Sequence, residues 1–384
     1  MKLPPLSLYV HLPWCVRKCP YCDFNSHTAG DATPKRRYLD ALITDMEQES
    51  VRAGDRKVHS IFLGGGTPSL FAPDEIDRLL TAARQQFDVA DDAEVSMEAN
   101  PGTVECGAPA GYREAGVTRL SIGAQSFDDG MLQTLGRIHS SADIRRAVDD
   151  ARAAGFDNFN IDLMHGLPGQ SVDQAIEDLR AAIQLEPTHV SWYQLTLEPN
   201  TVFYARPPQN MPDDELAFEI QCRGQQLLAD NAFEQYEVSA YARDGRRCRH
   251  NMNYWQFGDY LAVGAGAHGK ITDDDSIYRY HKPANPLQYM HSRELDDEAA
   301  ALVPLEAVDR VFDFMLNALR LNDGFAEQLF VDRTGLAVAD LEQASRGAVE
   351  RGLLTRSDDK TWRPTELGRR FLNDLQSEFI SGAG

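Results

Sequence analysis

Three of the six cysteines of this 384-residue chain fall within one short stretch, Cys15-x3-Cys19-x2-Cys22. Structural core cysteines come singly, and a disulfide among three thiols leaves one over. Three thiolates on one loop are the donor set of a soft metal centre. Structural zinc takes four ligands, usually as two C-x2-C pairs. No second pair exists here, because Cys106, Cys222 and Cys248 are scattered singles. A four-iron, four-sulfur (4Fe-4S) cluster on three thiolates leaves one iron without a protein ligand, open to a small molecule. The spacing favours such a cluster. Zinc with a distant fourth ligand and chance clustering are the alternatives.

The elements around this loop alternate in type. Residues 7–11 read as a strand that runs directly into the cysteines, and residues 60–63, 94–99, 119–123, 158–163 and 189–195 as five more. Between them lie segments of helical period. Tyr38, Leu39, Leu42, Ile43 and Met46 follow an expected N-cap at Thr33 with Pro34 at the first helical position. Ile76, Leu79, Leu80 and Phe87 follow Pro73; Ile144, Ala147, Val148 and Ala151 end at Gly155; Ser171 and Gln174 make a capping box. Six β-α units predict an α/β fold with a parallel sheet and right-handed crossovers. Six is fewer than the eight of a closed barrel, so the expected architecture is an open, partial (β/α)6 barrel.

Polar landmarks sit where such folds place their chemistry, at the C-terminal ends of strands. The cysteines follow the first strand, Gly64-Gly65-Gly66-Thr67-Pro68 the second and Gln125 the fourth. Glu98 closes the third strand and Asp162 the fifth, and Thr196 follows the sixth. Each has a plainer reading. The glycines form a turn, Glu98 is a solvated strand end, Gln125 a satisfied core amide, Arg137 a surface cation and Asp162 a helix cap. His165, near the same rim, reads first as a structural histidine, with a direct role the less favoured alternative.

The motifs together resemble the radical S-adenosylmethionine (SAM) superfamily. The cysteine spacing carries that resemblance first. The string Gly-Ala-Gln-Ser-Phe at 123–127, then Arg137, then Ile-Asp-Leu before Gly-Leu-Pro-Gly, matches in order and spacing. Tyr-Val-His-Leu-Pro-Trp-Cys at 9–15 is similar to the oxygen-independent coproporphyrinogen III oxidase group within it. The resemblance implies that SAM chelates the open iron and that one electron from the cluster breaks a carbon–sulfur bond. It implies SAM sites lined by Tyr9, Tyr21, Gly65, Gly66, Thr67, Glu98, Gln125, Arg137, Asp162 and Thr196. Carboxylates suit an ammonium or ribose hydroxyls there, and an arginine suits a carboxylate. His250-Asn251-x-x-Tyr254-Trp255 resembles the motif that the heme chaperones of this group associate with heme. Histidine can ligate heme iron, and aromatic rings can flank a porphyrin. Read without the resemblance, a Trp–Tyr pair is core packing.

Two departures from the oxidases of this group separate the readings. Those enzymes carry a further cysteine two positions after the third, where this chain has Phe24. They also extend ahead of the first strand, and here that strand begins by about residue 7. The expected function is therefore a heme chaperone that delivers heme to an acceptor protein, with an electron donor of flavodoxin or ferredoxin type. A radical SAM oxidase acting on coproporphyrinogen III is the second reading. The third is a metal-stabilised interaction protein.

Composition bounds the rest. A formal net charge of −21 argues against nucleic acid or an anionic membrane as the main partner. No apolar leader and no run of about 18 apolar residues occurs, so a cytoplasmic, soluble protein is expected. The expected domains are a core over 1–235, a flanking segment over 236–303 and a C-terminal module over 304–384. In the flanking segment, residues 236–240 read as one strand, His281 as structural, and 284–303 as a polar, acidic linker. In the C-terminal module Leu305, Val308, Val311, Phe312, Met315 and Leu319 share a helical face. A second helix near 336–349, the segments Gly352-Leu-Leu-Thr and Trp362-Arg-Pro-Thr365, and a last helix to about Phe379 follow. The arrangement resembles a winged helix, and its mixed charge favours a lid or interaction role over DNA binding.

Overall fold

A computed structural model describes residues 1–384 apart from 104–107, 274–275, 296–299 and 381–384. Cys106 and part of the expected acidic linker lie outside the described residues. Six parallel strands stand side by side in chain order: β1 (Leu6–Leu12), β2 (Val58–Gly65), β3 (Val89–Ala99), β4 (Arg119–Gln125), β5 (Phe159–His165) and β6 (His189–Gln194). Helices α1 (Lys35–Ala53), α2 (Pro73–Gln86), α3 (Ala108–Ala115), α4 (Ser141–Ala153) and α5 (Val172–Gln184) make the crossovers. Along β4 and β5 apolar and polar residues alternate: Leu120, Ile122, Ile161 and Leu163 belong to the main core, while Ser121, Asn160 and Asp162 bond one another. In β1 every residue except Tyr9 is buried.

Chain entry into the helices is set by small polar caps. Ser140 and Asp143 cap α4 reciprocally, as Ser171 and Gln174 cap α5. The first helix departs from expectation. It begins at Lys35, and Thr33 does not cap it, because the Thr33 hydroxyl instead accepts from the Gly30 N–H at 2.8 Å.

The parallel sheet does not end at residue 235. A seventh strand, β9 (Asp259–Val263), runs parallel to β1 on its free side, with Leu6 opposite Asp259 and Val10 opposite Val263. The composition break therefore does not coincide with a break in the sheet. Beyond β9 come the antiparallel strands β10 (His268–Thr272), β11 (Ile277–His281) and β12 (Val303–Pro304). At the other edge β6 pairs with β8 (Ala240–Ala242), and β8 with β7 (Glu234–Glu237). Residues 236–240, expected as a single strand, instead span the end of β7, a turn at 238–239 and the start of β8. The twelve-stranded order is β12-β11-β10-β9-β1-β2-β3-β4-β5-β6-β8-β7, with no pairing between its ends among the described residues. The barrel is open, and antiparallel strands finish both edges.

Part of the expected linker is helical. After α6 (Asp214–Asp230) and α7 (Arg249–Trp255), α8 (Pro286–Glu294) lies against α1, and a buried ionic cluster fixes it there. Lys282 Nζ donates to Asp45 at 2.6 Å and to Glu49 at 2.7 Å, while Arg293 and Tyr289 of α8 also donate to Asp45. Tyr289 and Arg293, within the segment read from sequence as a polar linker, are here buried and paired internally.

A second core belongs to the C-terminal module. It comprises α9 (Ala307–Ala318), α10 (Glu327–Thr334), α11 (Val338–Glu350) and a three-stranded sheet of Phe325–Ala326, Thr361–Pro364 and Leu354–Arg356. This is a winged-helix-like arrangement. The buried face of α9 is Phe314, Met315 and Ala318; Val308 is 52% exposed, since the helix starts only at Ala307 and its first turn projects beyond the core.

Candidate metal centre and adjoining cavity

The cysteine loop is held from both sides. Trp14 packs edge-on against Tyr38 at 4.8 Å and beside Phe71, which anchors the chain one residue before Cys15. The Tyr38 hydroxyl donates to the His11 carbonyl and accepts from the Ala265 N–H. After the cysteines, Asn25 Nδ2 donates to the carbonyls of Ala265 and Ala284. Cys15, Cys19 and Cys22 are free thiols, part exposed to a cavity of about 370 Å³. Burial pushes the Cys15 and Cys22 thiols up.

The glycine run is explained first by the chain itself. Gly65 has φ +113°, and a Cβ there would lie 2.4 Å from the His11 ring. A Cβ on Gly66 would lie 2.6 Å from the Trp14 carbonyl oxygen. Backbone bonds from Gly66 N–H to Leu12 and from Thr67 N–H to Trp14, both 2.8 Å, lace this turn to the cysteine loop. Close approach of β1 and β2 is thus one reason for glycine, alongside room for a ligand.

Strand ends supply the rest of the wall. Glu98 accepts from the Gly65 N–H at 3.1 Å. Asp162 accepts from Ser121 at 2.9 Å and from Asn160 at 2.8 Å. Desolvation, with the charge of Asp162 nearby, pushes the Glu98 carboxyl up to about 8. Burial also raises Asp162, against hydrogen bonds from Ser121, Asn160 and Ser191 and the charge of Arg119. Two carboxyls so placed favour a cationic ligand. Opposite them, Arg137 donates to Cys19 Sγ at 3.4 Å and to the Gly123 carbonyl at 3.0 Å, and its Nε is buried without a partner. Gln125, held at φ +65°, buries an Oε1 that likewise has none. Unpaired polar atoms in a cavity mark where a ligand would complete the bonding.

The structure brings the expected SAM residues Tyr21, Gly65, Gly66, Thr67, Glu98, Gln125, Arg137, Asp162 and Thr196 together around this cavity with the three cysteines. It does not bring Tyr9 there. Tyr9 lies behind Gly65, bonded to His11 Nδ1 at 3.0 Å and stacked on Phe62. His165 is buried against Trp192, where burial pushes its imidazole down to about 4. Tyr193, Met164 and Asn100 line the cavity and were not anticipated. Their signal was position alone, each at or just past the end of a parallel strand.

A second cavity, about 690 Å³, opens on the other side of Gly65 and Glu98. Its walls include Tyr9, Tyr254, Trp255, Tyr260 and Phe24, and His268 stands in it. Phe24, 58% exposed, borders both cavities. Of the expected heme residues, Tyr254 and Trp255 face this space. His250 does not. It is 1% exposed, its Nδ1 lies 3.1 Å from Ser60 Oγ and its Nε2 2.9 Å from the Tyr254 hydroxyl. Burial pushes the His250 imidazole down to about 3. Asn251 is part exposed on the same helix and outside the cavity lining.

Residues 9–182 match the Radical SAM superfamily, and residues 305–371 match the HemN C-terminal domain. The chain is 47% identical over 385 residues, 99% of both chains, to heme chaperone HemW of Haemophilus influenzae. The chain belongs to the HemW family. Heme chaperone HemW of Escherichia coli is 46% identical over 99% of this chain and 100% of its own. The solved coproporphyrinogen III oxidase HemN from Escherichia coli superposes with a TM-score of 0.82 over 99% of this chain and 91% of that one; at 23% identity this shows the shared fold.

Membership in the HemW family and the radical SAM match imply a 4Fe-4S cluster and SAM, and the donor set fits them. Cys15, Cys19 and Cys22 line one cavity from one loop, a donor set that suits a cluster, which spreads three thiolates over separate irons. No helix among the described residues of this HemW-family chain is long and apolar enough to cross a membrane.

Proposed function

We propose that the chain is a heme chaperone that holds heme in the aromatic-walled cavity and passes it to an acceptor protein. Beside it, Cys15, Cys19 and Cys22 hold a 4Fe-4S cluster, and SAM occupies the adjoining cavity. The observation that carries this reading is the match over 99% of both chains to a heme chaperone. The two cavities separated by Gly65 and Glu98 support it.

In the cluster cavity, Glu98 and Asp162 receive the cationic and hydroxyl groups of SAM. Arg137 meets a carboxylate, and the backbone at Gly65, Gly66 and Thr67 approaches closely. Tyr21, Gln125 and Thr196 complete the wall. Tyr9 acts from behind, orienting His11 against the glycine turn. The cluster, when bound, supplies one-electron chemistry at its open iron, fed by a donor of flavodoxin or ferredoxin type. We place the protein in the cytoplasm, where the cysteines stay reduced.

The test is anaerobic purification and cluster reconstitution, followed by a heme titration and an incubation with coproporphyrinogen III, SAM and reductant. Heme uptake without carbon dioxide or protoporphyrinogen is the expected result. Formation of protoporphyrinogen would overturn the chaperone reading and make the protein an oxidase.

A further inference from the structure

Heme iron takes its axial ligands from histidine, tyrosine, cysteine or methionine. Among the described residues, the walls of the aromatic cavity offer five such side chains, His11, His268, Tyr9, Tyr254 and Tyr260, and no cysteine or methionine. Four of the five are spent on the protein. Tyr9 and His11 Nδ1 bond each other at 3.0 Å, and His11 Nε2 lies 2.9 Å from the Asn25 carbonyl. The Tyr254 hydroxyl is bonded to His250, and the Tyr260 hydroxyl to Arg279. His268 differs. It is exposed, and neither of its ring nitrogens makes a hydrogen bond or ion pair among the described residues. Its ring neighbour is His281, opposite it on β11 and nearly perpendicular at 5.6 Å.

We infer that His268 ligates heme iron in this cavity, from the β10 side, while the rings of Tyr254 and Trp255 wall the macrocycle. The inference rests on the heme-chaperone reading. A cavity of about 690 Å³ falls within the range of ligand pockets, roughly 300–1,000 Å³. Coordination forms one iron–nitrogen bond and displaces one solvent ligand from the iron. No electron moves, and the neutral imidazole gives up no proton. Burial, followed by the charges of His281 and Arg279, holds the His268 imidazole below its ordinary value, so the ring keeps a lone pair for the iron at neutral pH.

The chain fixes His268 in place without engaging its ring. The turn before it is closed by the Ala267 N–H on the Gly264 carbonyl at 3.1 Å, and the Gly266 N–H donates to Pro283 at 2.9 Å. From His268 onward β10 pairs with β11 down to Thr272 opposite Ile277. Asn25, three residues past Cys22, donates to Ala265 in the same turn, so this ligand and the cysteine loop share one support. Lys270 is the residue paired with Tyr260, which places His268 two residues along β10 from the level of the Tyr254–Tyr260 contact. An exposed ligand suits a chaperone, because a side chain of the acceptor can approach the iron and replace it.

Ferric heme titrated into the full-length protein, followed by absorbance and resonance Raman, tests this. The wild type is expected to show an iron–imidazole band that shifts when its histidines are isotopically labelled. His268→Gly should lose that band and bind roughly tenfold more weakly, since losing even a partner that orients a metal ligand costs at least about that much. Free imidazole added to His268→Gly should restore the band, which a merely structural role for His268 would not produce. His281→Ala should keep the band. Circular dichroism and cluster content serve as folding controls for both variants. A wild-type spectrum and affinity in His268→Gly, or a lost band that imidazole does not restore, overturns the assignment while leaving heme binding intact. Wild-type protein that takes up no heme overturns the chaperone reading and this assignment with it.

Discussion

Glu98 is the residue whose charge state is most open to measurement. Its pKa, raised to about 8 by desolvation and then by Asp162, lies above its unfolded value near 4.5. Between those two values the folded state holds a proton that the unfolded state has released. Its stabilising contribution is therefore complete below about pH 4.5 and declines as pH rises to about 8. Cluster-free Glu98→Gln should melt above the wild type at pH 8.5, with the difference closing towards pH 5; parallel curves would refute the shift. A cationic ligand reverses the preference. SAM affinity in the wild type should increase from pH 6.5 to pH 8.5, and calorimetry in buffers of different ionisation heat should detect proton release at pH 7. The cysteines and Glu98, Gln125 and Asp162 were legible from sequence because each ends or follows a recognisable strand. Tyr9 was not placed correctly, since alternation along β1 does not reveal that Gly65 stands between it and the cavity. Nor does spacing disclose that both nitrogens of His250 are taken, by Ser60 and Tyr254, which are far and near in sequence respectively.

At the scale of elements, two tight fits position the centre. The first is the glycine turn after β2. Gly65→Ala must place a β-carbon into the His11 ring and hold alanine at a positive φ, a cost of about 1–3 kcal/mol. Urea denaturation of the cluster-free protein should show that loss, and reconstituted iron and sulfide should fall because the same turn bonds Trp14. The second is the ionic staple between α1 and α8. Lys282→Met would leave Asp45 and Glu49 short of a buried countercharge, which costs about 3–5 kcal/mol in comparable cases. A matching drop in the urea midpoint is expected, with unchanged heme spectra in whatever fraction stays folded. Six β-α units were readable because strands of this kind are short apolar runs between helical periods. The α8 helix was hidden, since charged and polar residues that pair internally look identical, in sequence, to a solvated linker.

At the scale of the whole molecule, the sheet formed by the described residues departs from chain order at two places, β9 beside β1 and β8 beside β6, and the first bears on the centre. The strand that carries the cysteine loop has β2 on one side and β9 on the other, and Asn25 reaches to Ala265 and Ala284. A fragment of residues 1–235 should therefore take up far less iron and sulfide than the full chain when reconstituted in parallel; equal loading would show that β9 is dispensable. The sequence marks no such dependence, because a parallel partner can come from any distance along the chain. Synthesis makes the point physical. At about 5–20 residues per second, β9 follows β1 from the ribosome on the order of tens of seconds later. For that interval the first thiols to emerge wait on an unfinished sheet edge, with no Ala265 to close over them. Maturation of the centre is then a late event in the life of each molecule, and the nascent chain depends on a reducing surrounding before it depends on a cluster.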